Sequence, residues 1–203
     1  NPNEMYKTYV PRFANEKVRT RTALALAVDG QLSANQHEQG PATENHINVI
    51  QELLRWRSPE GDKIDLHNTQ PLIEACRSGY VKFVQMFLDA GASVNTVDEL
   101  GSSALTTALH LKHYDIVKLL LNDPHIDVNH RQPDGCTALM YASKDGKTKI
   151  VKELLSKGAD PNHVDRLNNS ALINACKRQK HKTEIVNMLL NAGADPNHVD
   201  RFG

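Results

Sequence analysis

The sequence lacks the residue patterns on which most catalytic and cofactor sites are built. It contains no Cys-x-x-Cys pair, no His-Glu-x-x-His motif and no glycine-rich phosphate loop. Its 10 histidines are scattered along the chain. No Ser/His/Asp or Cys/His set stands out by its spacing as a nucleophilic site. We therefore expect that this chain is not an enzyme, and we expect no catalytic residue, no metal site and no cofactor.

Net charge, long apolar runs and paired cysteines are also missing. Lys plus Arg and Asp plus Glu both number 24, so no overall field attracts nucleic acid or an anionic membrane. No apolar run approaches the length of a membrane span. The 3 cysteines are an odd number without paired spacing, which is typical of a reducing compartment. We expect an intracellular protein without membrane contact, cytoplasmic rather than nuclear, or a bacterial effector in the host cytoplasm.

Aromatic residues make up only 5% of the chain, which suits a core of Leu, Ile, Val and Ala. What the chain does contain is an internal repeat. Ahead of each repeated asparagine lies an Ile/Val/Phe-rich segment with helical spacing, and ahead of that segment lies a shorter one rich in small residues. The asparagines recur at steps of 34, 33 and 35 residues, at Asn95, Asn129, Asn162 and Asn197.

One regular copy, at residues 134–165, predicts two short helices. Thr137 is a good N-cap for the first helix, because its hydroxyl can accept a hydrogen bond from an unpaired helix N–H. Gly146 predicts a tight turn, and Ile150 and Leu154 recur at helical spacing in the second helix. Helices this short cannot bury their apolar stripes alone. They need neighbours of the same shape, which the other copies supply.

Over roughly residues 18–203 the chain resembles the ankyrin-repeat family. The resemblance implies an all-α solenoid of stacked helix–turn–helix units joined by hairpin loops, with about five repeats, the first irregular. No copy keeps the histidine of the family's Thr-Pro-Leu-His, so we expect a lower stability per repeat. The motifs that carry the resemblance are Asp98-x-x-Gly101, Thr137-Ala-Leu-x-x-Ala142, and Gly-Ala-Asp-Pro-Asn at 158–162 and 193–197.

The repeat also predicts the organisation of the chain. The insertion in the first repeat is either a passive solvated loop or a binding loop. The chain ends in what looks like the opening of another repeat, so we expect it to be cut from a longer protein. The expected boundaries are a lead-in at 1–17, an irregular repeat at 18–64 with its insertion at 31–45, repeats at 65–97, 98–131, 132–164 and 165–199, and the start of a further repeat at 200–203.

Two expectations concern burial. Cys76 and Cys176 share one repeat position, just after the first helix's alanine, where a small buried residue is usual. In the fifth repeat, Ile185, Met188, Leu189 and Leu190 have no following polar cap, so we expect them to be partly uncovered.

The resemblance implies that a partner protein or peptide docks on a concave face, formed by the hairpin tips and the exposed sides of the first helices. We prefer Tyr141, Arg77 and Leu111 as anchors, because aromatic, arginine and aliphatic side chains suit binding hot spots. The residues at the family's contact positions are His67, Glu74, Arg77, Ser78, Glu99, Leu100, Ser102, Thr107, His110, Leu111, Pro133, Asp134, Cys136, Tyr141, Lys144, Asp145, Arg166, Leu167, Asn169, Asn174, Lys177 and Arg178.

The sequence leaves three functions open. The first is a monomeric protein–protein interaction module, acting as a scaffold or targeting arm. The second is a substrate-recruiting domain of a larger enzyme or secreted effector, whose catalytic part lies outside this chain. The third is nucleic-acid binding through the basic cluster 177–182, which the zero net charge disfavours.

Overall fold

The computed structural model describes residues 44–55, 71–177 and 182–202. Predictions on the lead-in 1–17, on most of the insertion 31–45, on His67 and Arg178, and on most of the basic cluster 177–182 lie outside these residues.

Within the described residues the secondary structure is helical. There is no strand in these ranges, only an isolated antiparallel bridge between Val97 and Ser103. The predicted all-α class is therefore confirmed. The helices are α1 (Glu44–Arg55), α2 (Pro71–Ser78), α3 (Val81–Asp89), α4 (Ala104–His110), α5 (Tyr114–Leu121), α6 (Ala138–Lys144), α7 (Thr148–Ser156), α8 (Ala171–Cys176) and α9 (Lys182–Asn191).

The shorter helices α4, α6 and α8 begin at side-chain N-caps. The Thr137 hydroxyl accepts from the Met140 N–H at 3.4 Å, as the sequence predicted. Ser103 and Ser170 cap α4 and α8 in the same way. Each cap satisfies a backbone donor that a helix start leaves unpaired, which stabilises the helix by about 1 kcal/mol. The sequence thus specifies where these helices begin.

A single residue with positive φ turns the chain between the first and second helix of a pair. Gly79 and Gly146 occupy this position with φ of 80° and 68°. In the pair α4–α5 the same position is held by Lys112, with φ of 65°. A side chain at positive φ brings Cβ close to the backbone carbonyl, whereas glycine adopts this conformation freely. Lys112 therefore marks a strained turn.

The second helix of each pair is amphipathic and buries its apolar stripe. Phe83 and Phe87 of α3, and Ile116 and Leu120 of α5, are fully buried. In α7 the equivalent stripe includes the buried Leu154. Burying a side chain of this size stabilises a fold by about 1.5–3 kcal/mol. The residues that the helical periodicity predicted to face inward are therefore the ones that form the core.

The described helices fall into two compact units, one ending at Thr96 and one beginning at Val97. In the first unit, α2 packs against α3. In the second unit, α4, α6 and α8 pack in a row, and α5, α7 and α9 pack in a second row. Each first helix also packs against the second helix of its own pair. The second unit is thus a stack of three helix pairs.

Loop asparagines connect consecutive pairs in the second unit. Asn129 donates through Nδ2 to the Gly158 carbonyl at 2.9 Å and accepts through Oδ1 from the Asp160 N–H at 2.8 Å. Asn162 makes the same two bonds to Gly193 and Asp195. At these two positions the repeated asparagine is therefore an amide clamp that joins one repeat to the next.

Two burial predictions need correction. Cys176 is exposed, while Cys76 is buried as predicted. Among the described helices α8 contacts α6 and α9, whereas α6 is covered on both sides by α4 and α8. Ile185 and Leu189 were expected to be partly uncovered, yet they are 1% and 0% exposed, because α9 packs against both α7 and α8. Met188 is half-buried and Leu190 is 39% exposed, so these two side chains are partly uncovered as expected.

The strained turn predicts a stabilising substitution. Lys112→Gly should raise the free energy of unfolding by about 0.5–1 kcal/mol, because glycine relieves the positive φ at the cost of some chain entropy. The matched control is Lys112→Ala, which removes the same side chain but keeps a Cβ and should give no gain. Urea unfolding measures both variants. Equal stability changes for Gly and Ala would contradict the strain.

A second stabilising substitution is predicted at the repeat position that Cys76 occupies in the first unit. There the pair α6–α7 carries Ser143, which is 2% exposed, and its hydroxyl has no hydrogen-bond partner among the described residues. Ser143→Ala should stabilise the protein by about 1–2 kcal/mol, because it removes an unsatisfied buried hydroxyl and improves helix propensity. Ser156→Ala is the control, since that exposed hydroxyl donates to the Glu153 carbonyl at 2.7 Å. A loss of stability in Ser143→Ala would show that the hydroxyl is satisfied.

Candidate functional site

In the first unit, the predicted contact residues are held by one another. Glu74 and Arg77 form an ion pair one turn apart on α2, and the Ser78 hydroxyl donates to the Glu74 carbonyl at 2.7 Å. The Arg77 side chain is 43% exposed and that of Glu74 is 17% exposed. A partly exposed ion pair one turn apart on a helix contributes little to stability. Arg77 thus remains at the surface, but its charge is partly compensated.

In the second unit, the contact residues lie on three hairpins and on the first helices. Each hairpin is closed by a backbone hydrogen bond, from Asp98 to Ser102, from Gln132 to Cys136 and from Asp165 to Asn169, at 2.9–3.1 Å. The tips between them project the predicted residues Glu99, Leu100, Asp134, Arg166 and Leu167, all of which are exposed.

The hairpin carboxylates are used to fold their own loops. Asp98 accepts from the Ser102 N–H at 2.8 Å, Asp165 accepts from the Asn169 N–H at 2.8 Å, and Asp134 accepts from the Cys136 N–H at 2.9 Å. Hydrogen bonds to an ionised carboxylate are roughly twice as strong as neutral ones. These acids therefore satisfy loop donors first and offer a partner fewer free acceptor sites than their number suggests.

The structure does not bring every predicted residue to the surface. Thr107 and Asn169 are 6% and 5% exposed, so we remove them from the candidate surface. Asp145 is half-buried and accepts from the Tyr114 hydroxyl at 3.1 Å. Lys177 donates to Asn169 and pairs with Asp200 at 3.1 Å. Its ammonium group thus links the end of α8 to the last hairpin.

Tyr141 contacts residues of two consecutive repeats. Its hydroxyl donates to Gln132 Oε1 at 3.1 Å, and its ring meets the His110 ring edge-on, with centroids 5.5 Å apart. Burial, followed by the neighbouring Cys136 and Asp134, raises the pKa of Tyr141 above its usual value. The hydroxyl therefore stays protonated and keeps donating to Gln132. Tyr141 is held in one orientation by contacts on both sides.

We call the exposed and half-exposed members of this set in the second unit the hairpin–helix surface. Its members are Glu99, Leu100, Ser102, His110, Leu111, Pro133, Asp134, Cys136, Tyr141, Lys144, Asp145, Arg166, Leu167, Asn174 and Lys177.

A cavity of about 470 Å³ opens between the second and third hairpins of this unit. Sequence reasoning missed it, since it depends on how two consecutive hairpins face each other. Of its lining residues only Pro133 and Arg166 were predicted as contacts. The lining residues are Arg131, Gln132, Pro133 and Gly135 from one hairpin, and Val164, Asp165 and Arg166 from the next.

The described residues offer no metal site, since no group of three His, Cys, Asp or Glu side chains in them could hold an ion. No described helix is long and apolar enough to cross a membrane.

Comparison with known proteins identifies the family. The profile of ankyrin repeats, in three copies, matches residues 42–132 and 125–200. The chain belongs to the ankyrin-repeat family, and the resemblance inferred from the motifs is confirmed.

Several curated proteins are similar to parts of the chain. The ankyrin repeat and KH domain-containing protein mask-1 of Caenorhabditis elegans is 35% identical over 53% of this chain. Human neurogenic locus notch homolog protein 2 is 29% identical over 74% of it, and the glycerophosphocholine phosphodiesterase gde1 of Schizosaccharomyces pombe is 30% identical over 66%. The chain spans only 4%, 6% and 12% of the lengths of these three relatives.

The cysteines should differ in reactivity. Burial, and then Asp134, raises the pKa of Cys136 to about 12, and burial raises that of Cys76 to about 12. At pH 8 only on the order of one in 10⁴ of these thiols is the reactive thiolate. Iodoacetamide at pH 8 should therefore label the exposed Cys176 first, as peptide masses would show. Labelling of Cys136 as fast as Cys176 would contradict the raised pKa.

Proposed function

We propose that the chain binds a partner protein through the hairpin–helix surface, which corresponds to the concave face of the family. Ankyrin repeats are generally protein–protein interaction modules, and the family is generally non-catalytic. A scaffold or targeting role follows from binding alone, without chemistry on the partner.

The observation that carries the proposal is a paired departure from the repeat. Tyr141 stands where the neighbouring repeats have Thr107 and Asn174, and Gln132 stands where they have Asp98 and Asp165. The two departing residues hydrogen-bond each other at 3.1 Å. Neither is required by the stack, since the neighbouring repeats fold without them. Their contact fixes an aromatic ring at the surface.

A fixed aromatic ring suits a binding anchor. Tyrosine supplies a large contact area with few rotatable bonds, and a ring already held in place loses little entropy on binding. Leu111 and the hairpin residues Leu100 and Leu167 add apolar side chains that are 40%, 73% and 45% exposed. Aliphatic side chains around a central aromatic residue are typical of the core of an interface.

A second candidate is a recruiting domain within a larger enzyme. The similarity to the phosphodiesterase gde1 favours it, because that protein is named as an enzyme and the match covers only 12% of its length. In this case the same surface would bind the substrate protein or another domain of the enzyme. The sequence of the full-length gene distinguishes the two candidates.

The proposal predicts the effect of truncating Tyr141. After a partner has been isolated by affinity capture and purified, Tyr141→Ala should weaken its affinity in calorimetric titration by about 30-fold, the loss typical of an interface hot spot of about 2 kcal/mol. Tyr141→Phe keeps the ring and should retain most of the affinity.

The matched control is Lys152→Ala, which changes an exposed side chain on α7, away from the hairpin–helix surface. It should leave the affinity unchanged. Equal affinities for wild type and Tyr141→Ala, with both folded by circular dichroism, would move the binding surface elsewhere. A stronger effect of Lys152→Ala would place it on the second helices.

A further inference from the structure

The inter-hairpin cavity is lined by two arginines. Arg131 and Arg166 come from consecutive hairpins, and both are exposed residues that line the same space of about 470 Å³. Arg131 donates through Nη2 to the Val164 carbonyl at 2.9 Å, which uses one of its donors and fixes its direction. The Arg166 side chain has no hydrogen bond or ion pair with the described residues. The two arginines therefore have guanidinium N–H groups that are still able to donate to a ligand.

The cavity is held in shape before any ligand binds. The Arg166 N–H donates to the Asp134 carbonyl at 2.9 Å, so the two hairpins are joined through their backbones. Gly135 permits this approach, because a Cβ there would lie 2.9 Å from the Asp165 Cα. Its φ of 85° is also one that glycine adopts without strain. A preformed site of this kind loses little free energy to ordering on binding.

The carboxylate in the cavity wall does not occupy the donors of the arginines. Asp165 accepts from the backbone N–H groups of Leu167 and Asn169 at 2.8 Å each, and from Asn169 Nδ2 at 2.9 Å. It therefore folds its own hairpin. Among the described residues it forms no ion pair with Arg131 or Arg166.

We propose that this cavity binds a carboxylate side chain, Asp or Glu, of an extended segment of the partner protein. The planar fork of arginine matches a carboxylate in two parallel hydrogen bonds. A carboxylate carries one negative charge, whereas a phosphate carries nearly two and would be repelled more strongly by the nearby Asp134 and Asp165. Apolar neighbours of the acidic residue would pack on Pro133 and Leu167, which are exposed beside it.

The cavity is continuous with the surface proposed above, on which this inference rests. Gln132 lines the cavity, and its Oε1 accepts the Tyr141 hydroxyl. One side chain thus contacts both the anion site and the aromatic anchor. A partner that places an aliphatic side chain on Tyr141 could place an acidic one between the arginines in the same extended segment.

The test uses a small probe, so that it does not depend on a partner having been found. The peptide acetyl-Leu-Glu-Leu-amide is titrated into the ¹⁵N-labelled chain, and the backbone amide shifts of Gly135, Val164 and Arg166 are followed. Saturable shifts are expected, with a dissociation constant on the order of 1–10 mM for so small a ligand. The Leu-Gln-Leu peptide, which lacks the charge, should give no saturable shift.

Arg166→Gln should weaken the Glu peptide by about 3-fold to 10-fold, the effect of one partly exposed charged hydrogen bond. Arg166→Lys keeps the charge without the fork and should fall between Gln and wild type. The matched control is Arg201→Gln, the same change at the same position of the next hairpin, where the arginine does not line this cavity. It should bind as wild type does.

Each other outcome overturns the proposal. These are equal binding of the Glu and Gln peptides, equal weakening by Arg166→Gln and Arg201→Gln, and no saturable shift up to about 20 mM, well above the expected dissociation constant. Tighter binding of inorganic phosphate than of the Glu peptide would reassign the cavity to a phosphate group. A negative result with Tyr141→Ala would refute the aromatic anchor but leave these shifts unaffected, so the two failures are distinguishable.

Discussion

The second unit depends on one constraint: none of its helix pairs can bury its apolar side alone. The helices are short, from the 6 residues of α8 to the 10 of α9. Isolated helices below about 12–15 residues are marginal in water. Their stability comes from the apolar stripes of α5, α7 and α9, which pack in one row, and from the small residues of α4, α6 and α8, which pack in the other. Residues outside these contacts, the N-caps and the asparagine clamps have more freedom to vary without loss of the fold.

That division determines which charges face a partner. The hairpin carboxylates of Asp98, Asp134 and Asp165 accept hydrogen bonds from their own loops. The arginines that line the cavity have no equivalent duty, apart from one hydrogen bond from Arg131 to a carbonyl. A chain of zero net charge can therefore still present guanidinium donors to a partner, because its hairpin acids accept from their own loops and not from these arginines.

Local chemistry and periodicity determine the features that could be predicted from the sequence. The cap at Thr137 and the turn at Gly146 depend on neighbouring residues only, and the repeat revealed the stack. The burial of Cys176 and Ile185 was predicted wrongly, since it depends on which helices lie on either side. Nor could the cavity be predicted, because Arg131 and Arg166 lie 35 residues apart and meet only when consecutive hairpins are joined through their backbones.

The departure at Gln132 shows how a repeat can acquire a specific surface without losing its hairpin. In the neighbouring hairpins, the first residue, Asp98 or Asp165, accepts from the N–H four positions on. In the hairpin of Gln132 the corresponding N–H, that of Cys136, is bound instead by Asp134. Because the third residue has taken over the capping, the first is released to accept the Tyr141 hydroxyl. Binding specificity then resides where one repeat differs from its neighbours, while the stack preserves what the repeats share.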